Sequence, residues 1–210
     1  MEPSARAYLL RALVRMLRVM PARCSAYLDT HLAFYDAVRT LHRVAHFVDG
    51  SKSPLKAALL AHRIGAGVPV KVVHLVRDPR GFYYSWRNNV GPASPKEIGR
   101  RWATQHAGIE ALAAVAPNIR VYRVRYEDLC KDPQTVMERI FDFLGVPREN
   151  VLGPPRYPVK HHLMGNKMLF SFDGTVRLDT QWRAVLSPSE QGLVARAAGS
   201  AIVRYGYGEA

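Results

Sequence analysis

Arg77, Asp78, Gly81 and Ser85 form the part of this sequence best suited to chemistry on an anion. Arg77 carries a planar, permanently charged fork that matches phosphate oxygens. Asp78 is a good helix N-cap, and Pro79 fits the first helical position, where its missing N–H costs nothing. The helix that starts here offers free N–H groups and a partial positive charge to an anion. Ser85, eight residues after Arg77, falls on the same helix face as Asp78 and Gly81. Gly81 has no side chain, which leaves that face open to a ligand. Spacing alone does not separate this reading from an ordinary capped helix with a surface arginine.

Lys52 is a second candidate, in Gly50-Ser51-Lys52-Ser53-Pro54. The string invites comparison with a phosphate-binding P-loop, but it lacks that motif's first glycine and its Gly-Lys step. What is left is a lysine at the carboxyl end of a candidate strand, for which a solvated loop lysine is the plain alternative. His42 and His46 have the i, i+4 spacing of a helical metal pair, but no third ligand stands nearby, and no metal is expected.

The elements that must position these groups follow from local pattern. Val72, Val73, Leu75 and Val76 read as a short strand buried on both faces, with Arg77 at its carboxyl end, where open α/β sheets bind ligands. Upstream, residues 5–20 have apolar residues at helical spacing with arginines between them, and a second helix is expected over about 25–44. Ala45–Asp49 is a strand candidate, and Ser53-Pro54 opens a helix to about Ile64. Downstream, Ser94-Pro95-Lys96-Glu97 is a capping box for a helix to about Val115, on which Trp102 reads as core. Ile119–Val124 alternates as a strand, Asp132-Pro133 opens a helix stopped by Gly145, and Ser187-Pro188-Ser189-Glu190 caps a last helix to about Val203. Between Val146 and Trp182 lies an irregular stretch rich in proline and glycine, which holds His161 and His162.

Composition narrows the class. At 210 residues, with 48% hydrophobic and 22% charged residues, the chain suits one globular domain rather than disorder or coiled coil. A formal charge of +13 favours polyanionic partners or phosphorylated small molecules. The basic residues are dispersed and no aromatic–basic motif for reading bases is present, so no specific nucleic-acid partner is expected. Cys24 and Cys130, outside any CxxC, read as free thiols. With no apolar stretch of spanning length and no signal-peptide pattern, the expected location is cytoplasmic.

Three strings resemble sulfotransferases in the order that family carries them. LVRDPRGFYYSW (75–86) is similar to the segment that grips the 3′-phosphate of PAPS (3′-phosphoadenylyl sulfate) through an arginine and a serine eight apart. RYEDLCKDPQTVMERIFDFLGVP (125–147) resembles a family string whose tyrosine borders the nucleotide. HHLMGNKMLF followed by DTQWR resembles the pattern "H.MGN.MRF…D..WR" of bacterial and carbohydrate-type members, with Leu169 where that pattern has arginine. VDGSKSP, around Lys52, is similar to a lysine-containing turn that assists transfer in some subfamilies.

The resemblance spans about Phe47 to Tyr207 and implies a P-loop-like, three-layer α/β fold with a parallel sheet. It further implies sulfuryl transfer from PAPS to an acceptor hydroxyl or amine on a carbohydrate or small molecule, without a metal. Residue by residue, it makes Arg77, Ser85, Tyr126, Gly165 and Asn166 binders of the nucleotide and Lys52 a catalytic candidate. His162 is the first choice of base among Asp49, His161 and His162. A single domain over 1–210 is expected: a helical part at 1–44, an α/β core at 45–145, an irregular loop at 146–186 and a closing helix at 187–204. The family's Gly-rich 5′-phosphosulfate turn, G-x-x-[RK]-[ST]-G-[ST], is not found in these residues. The sheet is therefore expected to lack its first strand and that loop. The competing expectation is an impaired relative that holds PAP, PAPS or a polyanion without turnover.

Overall fold

Cap-then-proline pairs start the helices that frame the molecule. In a computed structural model that describes residue 15 and residues 22–151 and 175–208, Ser53, Asp78, Ser94, Asp132 and Ser187 each accept a hydrogen bond from a first-turn N–H, with proline next in sequence. At Ser187 the box is reciprocal, with Glu190 accepting from the Ser187 N–H.

In chain order the elements are α1 (Ala22–His42), α2 (Pro54–Ile64), β1 (Val70–Val76), α3 (Pro79–Asn89), α4 (Pro95–Val115) and β2 (Ile119–Arg125). After these come α5 (Tyr126–Lys131), α6 (Pro133–Leu144), α7 (Trp182–Val185), α8 (Pro188–Ala198) and α9 (Ser200–Arg204). β1 and β2 pair in parallel from Val70↔Ile119 to Val76↔Arg125, so Arg77 and Tyr126 leave the sheet side by side. Parallel neighbours need a crossover, which α3 and α4 provide.

The core lies on one face of this pair. Val70, Val72, Val121 and Ile119 pack with Ala58 and Ala61 of α2 and Leu112 of α4. Further along the strands, Val76 and Trp102 meet Ala198, Ile202, Tyr205 and Tyr207. α4 and α8 approach closely at Gly99, where a β-carbon would stand 2.6 Å from the Val194 carbonyl oxygen. On the opposite face Tyr122 stacks on Phe143 of α6, and Lys71 donates to the Leu144 carbonyl.

Several expectations are corrected. β1 is not buried on both faces: Val73 and Leu75 are 39% and 50% exposed, because α6 covers β2 and leaves these side chains open. Ala45–Asp49 forms no strand; it has no ladder partner among the described residues, and Phe47 instead stacks on Tyr35 of α1. The closing helix breaks at Gly199, whose φ of 59° ends α8 before α9 begins. α5 and α7 were not anticipated; each is too short for its periodicity to show in sequence. The helix at 5–20 falls outside the described residues except Arg15, which is helical.

Beneath β1 the buried His74 meets the half-buried His106. His74 Nε2 and His106 Nδ1 lie 2.7 Å apart, one ring donating and the other accepting, with Trp102 and Tyr205 edge-on around them. Burial pushes His74 down to about 4; Glu110 opposes that shift and Arg123 adds to it. His106 falls to about 3, through burial and then the facing ring. Both folded values lie below that of the unfolded chain, so stability is full above about pH 6.5 and declines as acid protonates the unfolded rings first. The expected slope is at most about 1.4 kcal/mol per pH unit for each ring. Urea denaturation at pH 7 and pH 5 should show the loss, and His106→Gln should lessen it; an equal acid loss in that variant would refute the assignment.

Candidate functional site

β1 ends inside the core and delivers Arg77 to the carboxyl edge of the sheet. The Arg77 carbonyl accepts from Trp102 Nε1 at 3.0 Å, so a side chain only 1% exposed anchors the arginine's backbone. The guanidinium lies against Gly81, where a β-carbon would come within 2.9 Å of Arg77 Nε and 3.1 Å of Trp182 Cδ1. Its Cζ also sits 4.6 Å from the centre of the Tyr126 ring. Ser85 is one turn beyond Gly81 on the same face, about 6 Å along the axis. It is half-buried, and Asn89 reaches its hydroxyl at 3.4 Å. The structure thus brings Arg77, Gly81 and Tyr126 together at the start of α3, while Ser85 stands one turn further along the helix, where the hydroxyl meets Asn89.

Residues 175–181 cross this end as a strap without regular structure. Arg77 donates to the Asp179 carboxylate at 2.8 Å and approaches its carbonyl at 3.3 Å. The Tyr126 hydroxyl donates to the Arg177 carbonyl and accepts from the Asp179 N–H. Tyr84 donates to Gln181, and Trp182 then turns into the core. Burial, the leading influence, raises the Tyr126 phenol above its ordinary value and keeps it a neutral donor.

The amide donors at the start of α3 are engaged differently from the sequence expectation. The Arg80 N–H goes to Asp78, whose carboxylate also takes two bonds from the Arg80 guanidinium. Asp78 is only 5% exposed, so a resident negative charge already faces the helix dipole. Glu127 accepts from the Asp78 N–H and from the Tyr207 hydroxyl, tying β1, α5 and the C-terminal segment together. The cap carboxylate thus occupies the first amide of α3, and the Arg77 guanidinium stands beside it as a separate cation.

Lys52 is exposed and has a φ of 60°, a left-handed backbone unusual for a residue with a side chain. The contacts that hold its loop run to α1 and α2. Asp49 accepts from Tyr35, from the Ser51 N–H and from Lys56 at 2.9 Å. Burial would raise the Asp49 carboxyl, but these hydrogen bonds outweigh it and hold it below the usual carboxylate range. Asp49 is therefore a poor general base and acts as a fastener for the Lys52 turn.

His161, His162, Gly165 and Asn166 lie outside the described residues. Among the described residues, no three of His, Cys, Asp and Glu gather as a metal site would need. No helix among them is long and apolar enough to cross a membrane. Sequence reasoning missed Asp179, Glu127 and Tyr207. Asp179 stands in the DTQWR string and Glu127 in RYEDL, so both lay in marked motifs, but nothing local says which strand ends they reach.

Comparison with known proteins adds one finding. No curated protein and no solved structure matches the chain. A sulfotransferase-family model matches residues 9–150. The matched span begins at residue 9, well ahead of Phe47, and ends at residue 150, five residues into the stretch that starts at Val146. It contains β1, α3, β2 and α5, the elements that converge on Arg77. With well over half its length matched, and an α/β build around a parallel strand pair, this chain belongs to the sulfotransferase family.

Proposed function

We propose that the chain transfers a sulfuryl group from PAPS to an acceptor hydroxyl or amine. The observation that supports this most is the Arg77 cluster: a planar cation at a strand's carboxyl end, laid on a glycine, with Ser85 one turn on and Tyr126 against it. The fit to a 3′-phosphate is chemical. Arginine's in-plane donors match phosphate oxygens, and a side chain at position 81 would fill the space the cation occupies.

In this reading Arg77 and Ser85 hold the 3′-phosphate and Tyr126 borders the nucleotide, which aligns the donor. The bond between sulfur and the bridging oxygen of the 5′-phosphosulfate breaks as the acceptor oxygen or nitrogen bonds to sulfur. The acceptor loses its proton, with His162 as the proposed base, and PAP departs with the electron pair. Lys52 supplies positive charge for the sulfonate oxygens and the leaving phosphate. Gly165 and Asn166 are proposed to complete the nucleotide contacts.

The test is transfer of labelled sulfate from PAPS to a panel of carbohydrate and small-molecule acceptors, alongside calorimetric binding of PAP (adenosine 3′,5′-bisphosphate). Lys52→Ala should keep PAP affinity and lower turnover by about 100-fold, the weight of one charge-stabilising group. Loss of PAP binding in Lys52→Ala would remove it from the transfer step. Saturable PAP binding with no transfer would make the chain a binder; failure to bind PAP would end the reading.

A further inference from the structure

We propose that Asp179 is a specificity-determining residue: its carboxylate holds Arg77 as a built-in competitor, so that only a doubly charged anion displaces it. This rests on the reading of Arg77 as the 3′-phosphate contact.

The geometry around Arg77 leaves few ways in. Gly81 crowds the guanidinium on the Nε side, the Tyr126 ring lies against it, and Asp179 takes one terminal nitrogen twice. A phosphate that binds arginine in the usual bidentate manner needs two in-plane donors, and Asp179 occupies part of that set. A dianion beside a retained carboxylate would also be repelled at close range. The two anions therefore compete.

Their strengths are unequal. The ion pair joins side chains 20% and 35% exposed, so water screens it and it contributes little stability. A phosphate monoester near pH 7 carries nearly two charges and more acceptor oxygens. It displaces Asp179, whereas a monoanion such as a sulfate ester or a carboxylate would merely exchange one single charge for another. The strap is built for such an exchange. Its backbone is retained by Tyr126 and Gln181 by Tyr84, bonds that do not involve the Asp179 carboxylate. Trp182 is seated in the core. When the Asp179 carboxylate swings off Arg77, the strap contacts at stake are the Gln181 N–H bond to Oδ1 and the Arg77 approach to the Asp179 carbonyl, while the Tyr126 and Tyr84 bonds stay in place.

The test compares the unmodified chain with Asp179→Asn, which keeps an oxygen for the Gln181 N–H, and with Asp179→Ala. Calorimetry with PAP, and with adenosine 5′-monophosphate as the ligand that lacks a 3′-phosphate, is the readout; thermal melting checks that each chain is folded. Both variants should bind PAP about three- to fivefold more tightly, the measure of one partly exposed ion pair, with affinity for the 5′-monophosphate unchanged. Weaker PAP binding in both variants would mean that Asp179 orients Arg77, and would overturn the proposal. If the unmodified chain binds PAP and the variants bind it equally well, the competitor role falls while the donor assignment stands. If none of these folded chains binds PAP, the donor assignment falls and this inference falls with it.

Discussion

Arg77→Ala is expected to bind PAP roughly 100-fold more weakly than the unmodified chain, the cost of truncating one charged partner in a hydrogen-bonded pair. The stability of the variant should change little. The Arg77–Asp179 pair is partly exposed and contributes at most about 1 kcal/mol. The bond from Trp102 goes to the Arg77 carbonyl, which alanine keeps. The change therefore removes the guanidinium and leaves its mount standing. Calorimetry of the folded variant is the direct check, and an affinity within twofold of the parent would show that the nucleotide is held elsewhere. Lys52→Ala should behave oppositely, losing turnover while retaining PAP. On the proposed function, binding and chemistry would fall to different loops, one at the end of β1 and one held by α1 and α2.

Trp102→Ala should give the largest loss of stability. The indole is 1% exposed and packs among His106, Tyr205 and Tyr207, where α4, β1 and the C-terminal segment meet. Its removal leaves a cavity and a carbonyl without its indole donor, at a cost of about 3–5 kcal/mol. For a chain of this size that is a fall in melting temperature of about 6–20 °C. Trp102→Phe fills most of the space and loses mainly the hydrogen bond, so its fall should be no more than about a third of that. Differential scanning calorimetry separates the two variants; equal and small shifts in both would mean that Trp102 is not the brace described. Because the lost bond is to the Arg77 carbonyl, the phenylalanine variant should also bind PAP more weakly.

Five helix starts were legible residue by residue, because a cap and a proline act within one turn. Ser53, Asp78, Ser94, Asp132 and Ser187 needed no tertiary help. The strand that ends at Arg77 was legible too, and so was the fate of Trp102. Ala45–Asp49 shows the limit of this kind of reading. Its sequence suits a strand, but a strand exists only when a partner offers a ladder, and here Phe47 found an aromatic ring instead. Burial on both faces of β1 failed for a related reason: an apolar run shows that a surface can be covered, while coverage depends on which helix arrives.

The site divides in the same way. Local sequence alone determined that a guanidinium would stand at a strand's carboxyl end, with a glycine and a serine following on one helix face, because those placements depend on backbone periods a few residues long. Only the tertiary structure decided what that guanidinium touches. Asp179 lies 102 residues away in sequence and Tyr207 joins Glu127 across 80, separations that no periodicity encodes. The same packing bound Asp49 to Tyr35 and Lys56, turning a candidate base into a fastener. Charges separated in sequence acquire their roles from the distance and burial the fold gives them, since electrostatic strength depends on both.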